Sequence, residues 1–139
     1  MMSGPENVFD VGARALSAQM LRMNTTASNL ANAGTVAGSK EEAFRPLRPV
    51  FETVYGDMLG NGPLATTSVA DVVSLDREPE GSFQPDHPDA DENGMVWMSP
   101  ISVEEEMVEM LEASRQYQNT LEAMSTLRAL MARTLSMGS

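Results

Sequence analysis

Apolar residues recur in strict steps of four and three near both ends of this chain of 139 residues. The first stripe is Phe9, Ala13, Leu16, Met20, Met23, Ala27 and Leu30. Steps of four and three keep side chains on one face of a helix, and a run of three heptads predicts a coiled-coil seam. A helix is therefore expected over about residues 5 to 32. Ser3 with Glu6 has capping-box spacing, and Asn7 with Asp10 offers a second start. Gly34 is placed to end the helix in a left-handed turn.

The second stripe is Val103, Met107, Met110, Ser114, Tyr117, Leu121 and Met124, continuing less cleanly through Leu127, Met131 and Leu135. Pro100 bars a helix from entering from upstream, and Ser102 with Glu105 makes a capping box. Glu104, Glu105 and Glu106 crowd the first turn, where the helix dipole favours anions. Arg128 and Arg133 lie in the last turns, and Gly138 follows as a stop. At 1.5 Å per residue this helix is about 50 Å long.

Between the helices, about residues 35 to 101, lie seven of the eight prolines and most of the glycines. Runs of β type appear at Phe44 to Tyr55, Thr67 to Leu75 and Met95 to Met98. Pro46 and Pro49 confine the first to an edge or a bent strand. Asp76 to Glu92 is acidic and proline-rich, and reads as an exposed excursion with little core of its own. The expected fold class is α+β: long N- and C-terminal α-helices forming a coiled-coil-like pair, with a small β-rich insert. The zones are an N-terminal axial helix over 1–34, the insert over 35–101 and a C-terminal axial helix over 102–139.

Two helices make a poor core, because each buries one stripe and amphipathic helices draw most of their stability from packing. The pattern asks for helices from other chains; a single intramolecular hairpin over the insert is the alternative. Twelve methionines against seven aromatic residues fit a helix surface that repacks against non-identical neighbours.

A net charge of −11 and only nine Lys and Arg argue against nucleic acid and against an anionic membrane surface. The N-terminus has neither the basic start nor the apolar run of a signal peptide. No segment approaches the roughly 18 apolar residues of a membrane span. With no cysteine, thiolate chemistry and disulfides are excluded.

No catalytic set emerges. His87, the one histidine, sits between Asp86 and Pro88 in a turn-like run, where a bond to a nearby carboxylate is expected. The run Gly34 to Lys40 lacks the Lys-Ser/Thr spacing of a phosphate loop. Asp89, Asp91, Asn93 and Gly94 reproduce the start of a calcium loop, but Pro100 stands where the bidentate glutamate belongs. An Asx-rich tight turn explains them better. No metal site, cofactor site or enzymatic activity is expected.

Ala15-Leu16-Ser17-Ala18-Gln19, followed by Asn29-Leu30-Ala31-Asn32-Ala33, resembles the N-terminal signature of flagellar rod and hook proteins. His87-Pro88-Asp89-Ala90-Asp91 followed by Asn93-Gly94-Met95-Val96 is similar to the motif of the FlgC-type proximal rod family. Glu106-Met107, Ala113-Ser114-Arg115-Gln116-Tyr117-Gln118 and Thr134-Leu135 resemble the same type, and Phe44-Arg45 stands where Tyr-Arg is usual. The chain departs from the pattern at Met95, where Tyr is common, and at Ser99-Pro100-Ile101, where Pro-Asn-Val is usual.

The resemblance implies a structural subunit of the flagellar basal-body rod, in the periplasm-spanning shaft that transmits torque and surrounds an export channel. It implies export through the flagellar type III apparatus without a cleaved signal peptide. The implied partners are other copies, other rod proteins, the rod-base/export-gate adaptor and the export apparatus. The assembly interface is expected at Phe9, Leu16, Met20, Met23, Leu30, Met107, Met110, Tyr117, Leu121, Met124, Met131 and Leu135. Asn29 and Asn32 read as cap or bridging residues. Another rod component of the same superfamily and a cytoplasmic coiled-coil adaptor are the alternatives.

Overall fold

The computed structural model describes residues 7–58 and 62–138. The Ser3–Glu6 start lies outside them. Helix α1 spans Val8–Ala31. Asn7 caps it, its side chain accepting from the backbone N–H of Asp10 at 3.0 Å. Asn32, not Gly34, closes it: its backbone N–H reaches back to the last turn and its Nδ2 donates to the Ser28 carbonyl. The asparagine amide satisfies the helix end, so no left-handed glycine is needed there; the positive φ among the described residues is at Gly94. Helix α2 spans Val103–Met137, with Ser102 as its N-cap.

Among the described residues, five strands lie between the helices. β1 (Val36–Ala37), β4 (Glu80–Phe83) and β5 (Met95–Met98) form an antiparallel sheet in the order β1-β5-β4. β2 (Leu47–Met58) and β3 (Gly62–Ser74) form a long hairpin, with a register shift between Val50 and Phe51 just after Pro49. Asp76 to Glu92 is thus not a bare excursion. It contributes β4, which pairs along its whole length with β5 and follows the buried Pro79.

The two helices pack antiparallel, bringing Gly12 against Met124 and Asn29 against Glu106. They do not form the expected coiled-coil-like pair. The expected seam residues Met20, Met107 and Leu121 are 47%, 60% and 50% exposed. The covered side of α2 runs instead through Glu106, Met110, Ala113, Tyr117, Thr120, Met124 and Leu127. Half of the expected stripe is kept, and the other half is displaced by one residue, about 100° around the helix.

Two physical causes account for the displacement. α1 must serve two neighbours, because it packs against the β2–β3 hairpin as well as α2. Thr66 of β3 donates to the Val11 carbonyl at 3.3 Å. Moreover, the groups that fix the helix pair are small or polar. Gly12 allows close approach, since a Cβ there would stand 2.6 Å from the Met124 sulfur. Glu106 turns inward because its partners are there.

Candidate assembly surface

At the junction of α1, α2 and β2 a buried polar knot replaces an apolar core. Asn29, completely buried, treats Leu47 as a strand partner would. Its Oδ1 accepts the Leu47 N–H at 2.8 Å, and its Nδ2 donates to the Leu47 carbonyl at 2.9 Å. Nδ2 also donates to Glu106 Oε2 at 3.0 Å. An amide has two N–H donors and a carbonyl acceptor, and all of this capacity has partners here. Glu106, also completely buried, receives the fork of Arg48 on both oxygens, with Nη1 at 3.0 Å from Oε2.

Burial opposes the charge on Arg48, yet the hydrogen bond and attraction of Glu106 hold its pKa above the usual guanidinium value. A second, outer pair lies beside it. Arg77 donates to both oxygens of Glu105, at 2.8 and 3.0 Å, and this bond holds the Glu105 carboxyl below its ordinary range. Arg22 of α1 donates to Glu109 of α2 at 2.8 Å from Nη2. The helix pair and the hairpin are therefore locked together by ionic and amide groups.

Besides Pro46 and Pro79, the buried apolar residues among the described ones are Ala18, Ala43, Val96 and Ala113, none larger than valine. On α2, Met107, Val108, Leu111, Leu130, Met131, Leu135 and Met137 are exposed. A groove of about 560 Å³ runs between Leu30, Met107, Val108, Met110, Leu111 and Ser114. Phe9, Leu121, Met124, Ser125 and Arg128 line a second, of about 590 Å³. Exposed apolar surface of this extent on a helical face marks a contact surface.

The sequence-derived interface residues divide. Phe9, Leu16, Met23, Leu30, Met110, Tyr117 and Met124 are half-buried within the subunit, and Met20, Met107, Leu121, Met131 and Leu135 face outward. Ala31 is exposed beside the half-buried Asn32.

The motif from His87 to Gly94 shapes the loop joining β4 to β5. Asp91 Oδ1 accepts the N–H groups of Asn93 and Met95, at 2.8 and 2.9 Å. His87 Nδ1 accepts the Asp89 N–H at 3.1 Å, and the Asp89 carboxylate lies 4.0 Å from the same nitrogen. Gly94 has φ +75°, and a Cβ there would meet Phe83 at 2.9 Å. Pro88 and Asp89 are exposed at the turn. The loop is a structural device, its acidic oxygen already committed to N–H donors.

Sequence reading placed Glu106 in the first turn of the helix and in the family resemblance but missed its burial against Arg48, and it missed Arg48 and Arg77 altogether. The available signal was an arginine between two prolines in a β run, opposite a glutamate one step off an apolar stripe.

A family model described as flagella basal body rod protein matches residues 9–38. Another, flagellar basal body rod FlgEFG protein C-terminal, matches residues 92–137. The chain is 38% identical over 132 residues to the flagellar basal-body rod protein FlgC of Yersinia enterocolitica, covering 95% of this chain and 96% of that one. It is 36% identical to the protein of the same name from Salmonella typhimurium, with the same coverage. It is 37% identical over 131 residues to that of Aquifex aeolicus, covering 92% of each. The chain accordingly belongs to the FlgC family of flagellar basal-body rod proteins, structural subunits of the rod and not enzymes.

Proposed function

We propose that this subunit completes its folding as it is built into the rod, using its terminal helices as the packing surface. The carrying observation is the imbalance between a few small buried apolar residues and the many large ones left exposed, above all along α2. A subunit with so little apolar core gains its missing burial from neighbours, and coupled folding and binding has that energetic signature. Its partners are other copies of the chain, other rod proteins and the rod-base/export-gate adaptor. The zones 1–34, 35–101 and 102–139 act as two axial helices flanking a spacer.

The assembled helices surround the export channel and carry torque through the periplasm. The chain travels there through the type III export apparatus; a subunit with a thin core unfolds easily for that passage. No helix among the described residues is long and apolar enough to cross a membrane.

Circular dichroism and limited proteolysis on the dilute, purified subunit test the mechanism. Helicity below that of the assembled subunit, with proteases trimming α2 back from its exposed C-terminal end, supports folding completed on assembly. Protease-resistant, fully formed helices in dilute solution would sink it and leave rigid docking.

A further inference from the structure

Helix α2 carries two packing stripes where a paired helix needs one, and each advances in steps of four and three. The covered stripe runs through Glu106, Met110, Ala113, Tyr117, Thr120 and Met124. The stripe expected from the apolar pattern runs through Met107, Met110, Ser114, Tyr117, Leu121 and Met124. Three members are common to both. At the other three levels the stripes differ by one residue. A turn of about 50° around the helix axis, half of the roughly 100° between successive residues, would exchange them.

Apolar burial favours the stripe that is not used. Met107 and Leu121 stand 60% and 50% exposed, whereas the completely buried Glu106 and the half-buried Thr120 occupy the corresponding levels. Covering a methionine and a leucine in place of a glutamate and a threonine would gain apolar burial and return a carboxylate to water. What opposes this is local. Glu106 receives both arms of the Arg48 fork and the Asn29 amide, and Asn29 is itself bonded to the backbone of Leu47 on its N–H and its carbonyl. A turn of that size would break every bond to Glu106 together. The neighbouring ion pairs yield more easily: Glu105 and Glu109 are partly exposed on long side chains, and Arg22 reaches Glu112 as well as Glu109.

We infer that the Asn29–Arg48–Glu106 knot is a register latch on a helix with two seatings. With the latch closed, α2 lies on its small and polar face and holds Met107 and Leu121 outward. With the latch open, α2 turns until those two side chains meet α1. Met110, Tyr117 and Met124, which belong to both stripes, are the pivot in either seating. A buried polar or ionic group can fix the register of packed helices at a cost in stability, and a helix with two competing faces is where that use arises. The latch acts within the free subunit and does not depend on the proposed role in assembly.

Native methionines report the seating without added labels. Dilute hydrogen peroxide oxidises a thioether to the sulfoxide at a rate that follows its exposure. Met107 is 60% and Met137 86% exposed, while Met110 and Met124 are half-buried. Each sulfoxide is counted by peptide mass spectrometry on the dilute, full-length chain, with Met137 as the internal standard. Two variants open the latch: Arg48→Leu strands the Glu106 carboxylate, and Glu106→Ser removes it. In both, Met107 is expected to oxidise roughly threefold more slowly, with Met110 and Met124 unchanged. If Arg48→Leu opens the helix pair altogether, Met110 and Met124 speed up with it, and Glu106→Ser then decides. Met107 at its original rate in Glu106→Ser overturns the inference, because α2 then has one seating. So does faster oxidation of Met110 and Met124 in both variants, because the knot then only holds the helices together.

Discussion

Asn29 and Glu106 carry the tertiary structure where most domains rely on leucine and isoleucine. Glu106→Ala leaves the Arg48 guanidinium without its main partner in a largely covered site. An uncompensated charge costs several kcal/mol when fully buried; with Arg48 still 18% exposed, a loss of about 3 kcal/mol is expected in urea unfolding. Asn29→Asp is the sharper probe. It preserves the acceptor for the Leu47 N–H but removes the donor to the Leu47 carbonyl and sets a second carboxylate against Glu106. It is expected to destabilise more than Asn29→Ala, which costs about 2 kcal/mol; equal losses would show that the Glu106 charge is not felt there. Glu105 supplies a pH dependence. Its folded pKa is lowered, mainly by the hydrogen bond from Arg77, so its contribution is present above the ordinary value of 4.5 and lost as pH falls through the folded value. Stability measured between neutral and acid pH should therefore decline less steeply below 4.5 in Arg77→Ala than in the unsubstituted chain.

The elements differ in how much of their placement can be read from residues close in sequence. Both helix starts were legible, because Asn7 and Ser102 bind N–H groups three residues away and need nothing distant. The runs that become β2 and β3 were legible in part from β-type composition, but not their pairing as one long hairpin. β4 was not: Glu80-Gly81-Ser82-Phe83 has no alternating pattern, and it becomes a strand because β5 supplies its partners. The helix seam misled for a different reason. Periodicity marks where apolar residues lie, whereas the contact is decided where a small residue permits approach or a polar pair forms, here at Gly12 and Glu106. At Gly12 the balance can be tested. Ala at this site gains about 1 kcal/mol of helix propensity, but its Cβ crowds the end of Met124, a side chain that can move. Gly12→Ala should then lie within about 1 kcal/mol of the parent, and Gly12→Val should lose about 2 kcal/mol through overpacking. The Gly12→Val loss should shrink when Met124→Ala opens the space; additive losses would mean that the two side chains do not meet.

For the molecule as a whole, the proposed reading puts stability and assembly in different parts of the chain. The polar knot lies at the C-terminal end of α1 and the N-terminal end of α2, beside the first residues of β2. The far end of α2, residues 128–138, is exposed throughout. A long helix with no tertiary cover holds only by its own propensity, which is marginal at such lengths. Amide hydrogen exchange in the free subunit should therefore grade along α2, slow near Glu106 and Ala113 and fast beyond Leu127. Truncation after Arg128 removes nothing buried among the described residues, so the urea midpoint of the free subunit should barely move. The same truncation removes Met131 and Leu135 and should prevent incorporation into basal bodies. If the shortened chain still incorporated, the C-terminal end of α2 would not be a packing surface, and the apolar residues on its first half would have to carry assembly alone. A large drop in the free subunit's stability would instead mean that the C-terminal end of α2 is covered within its own chain, and the separation of folding from assembly would fail.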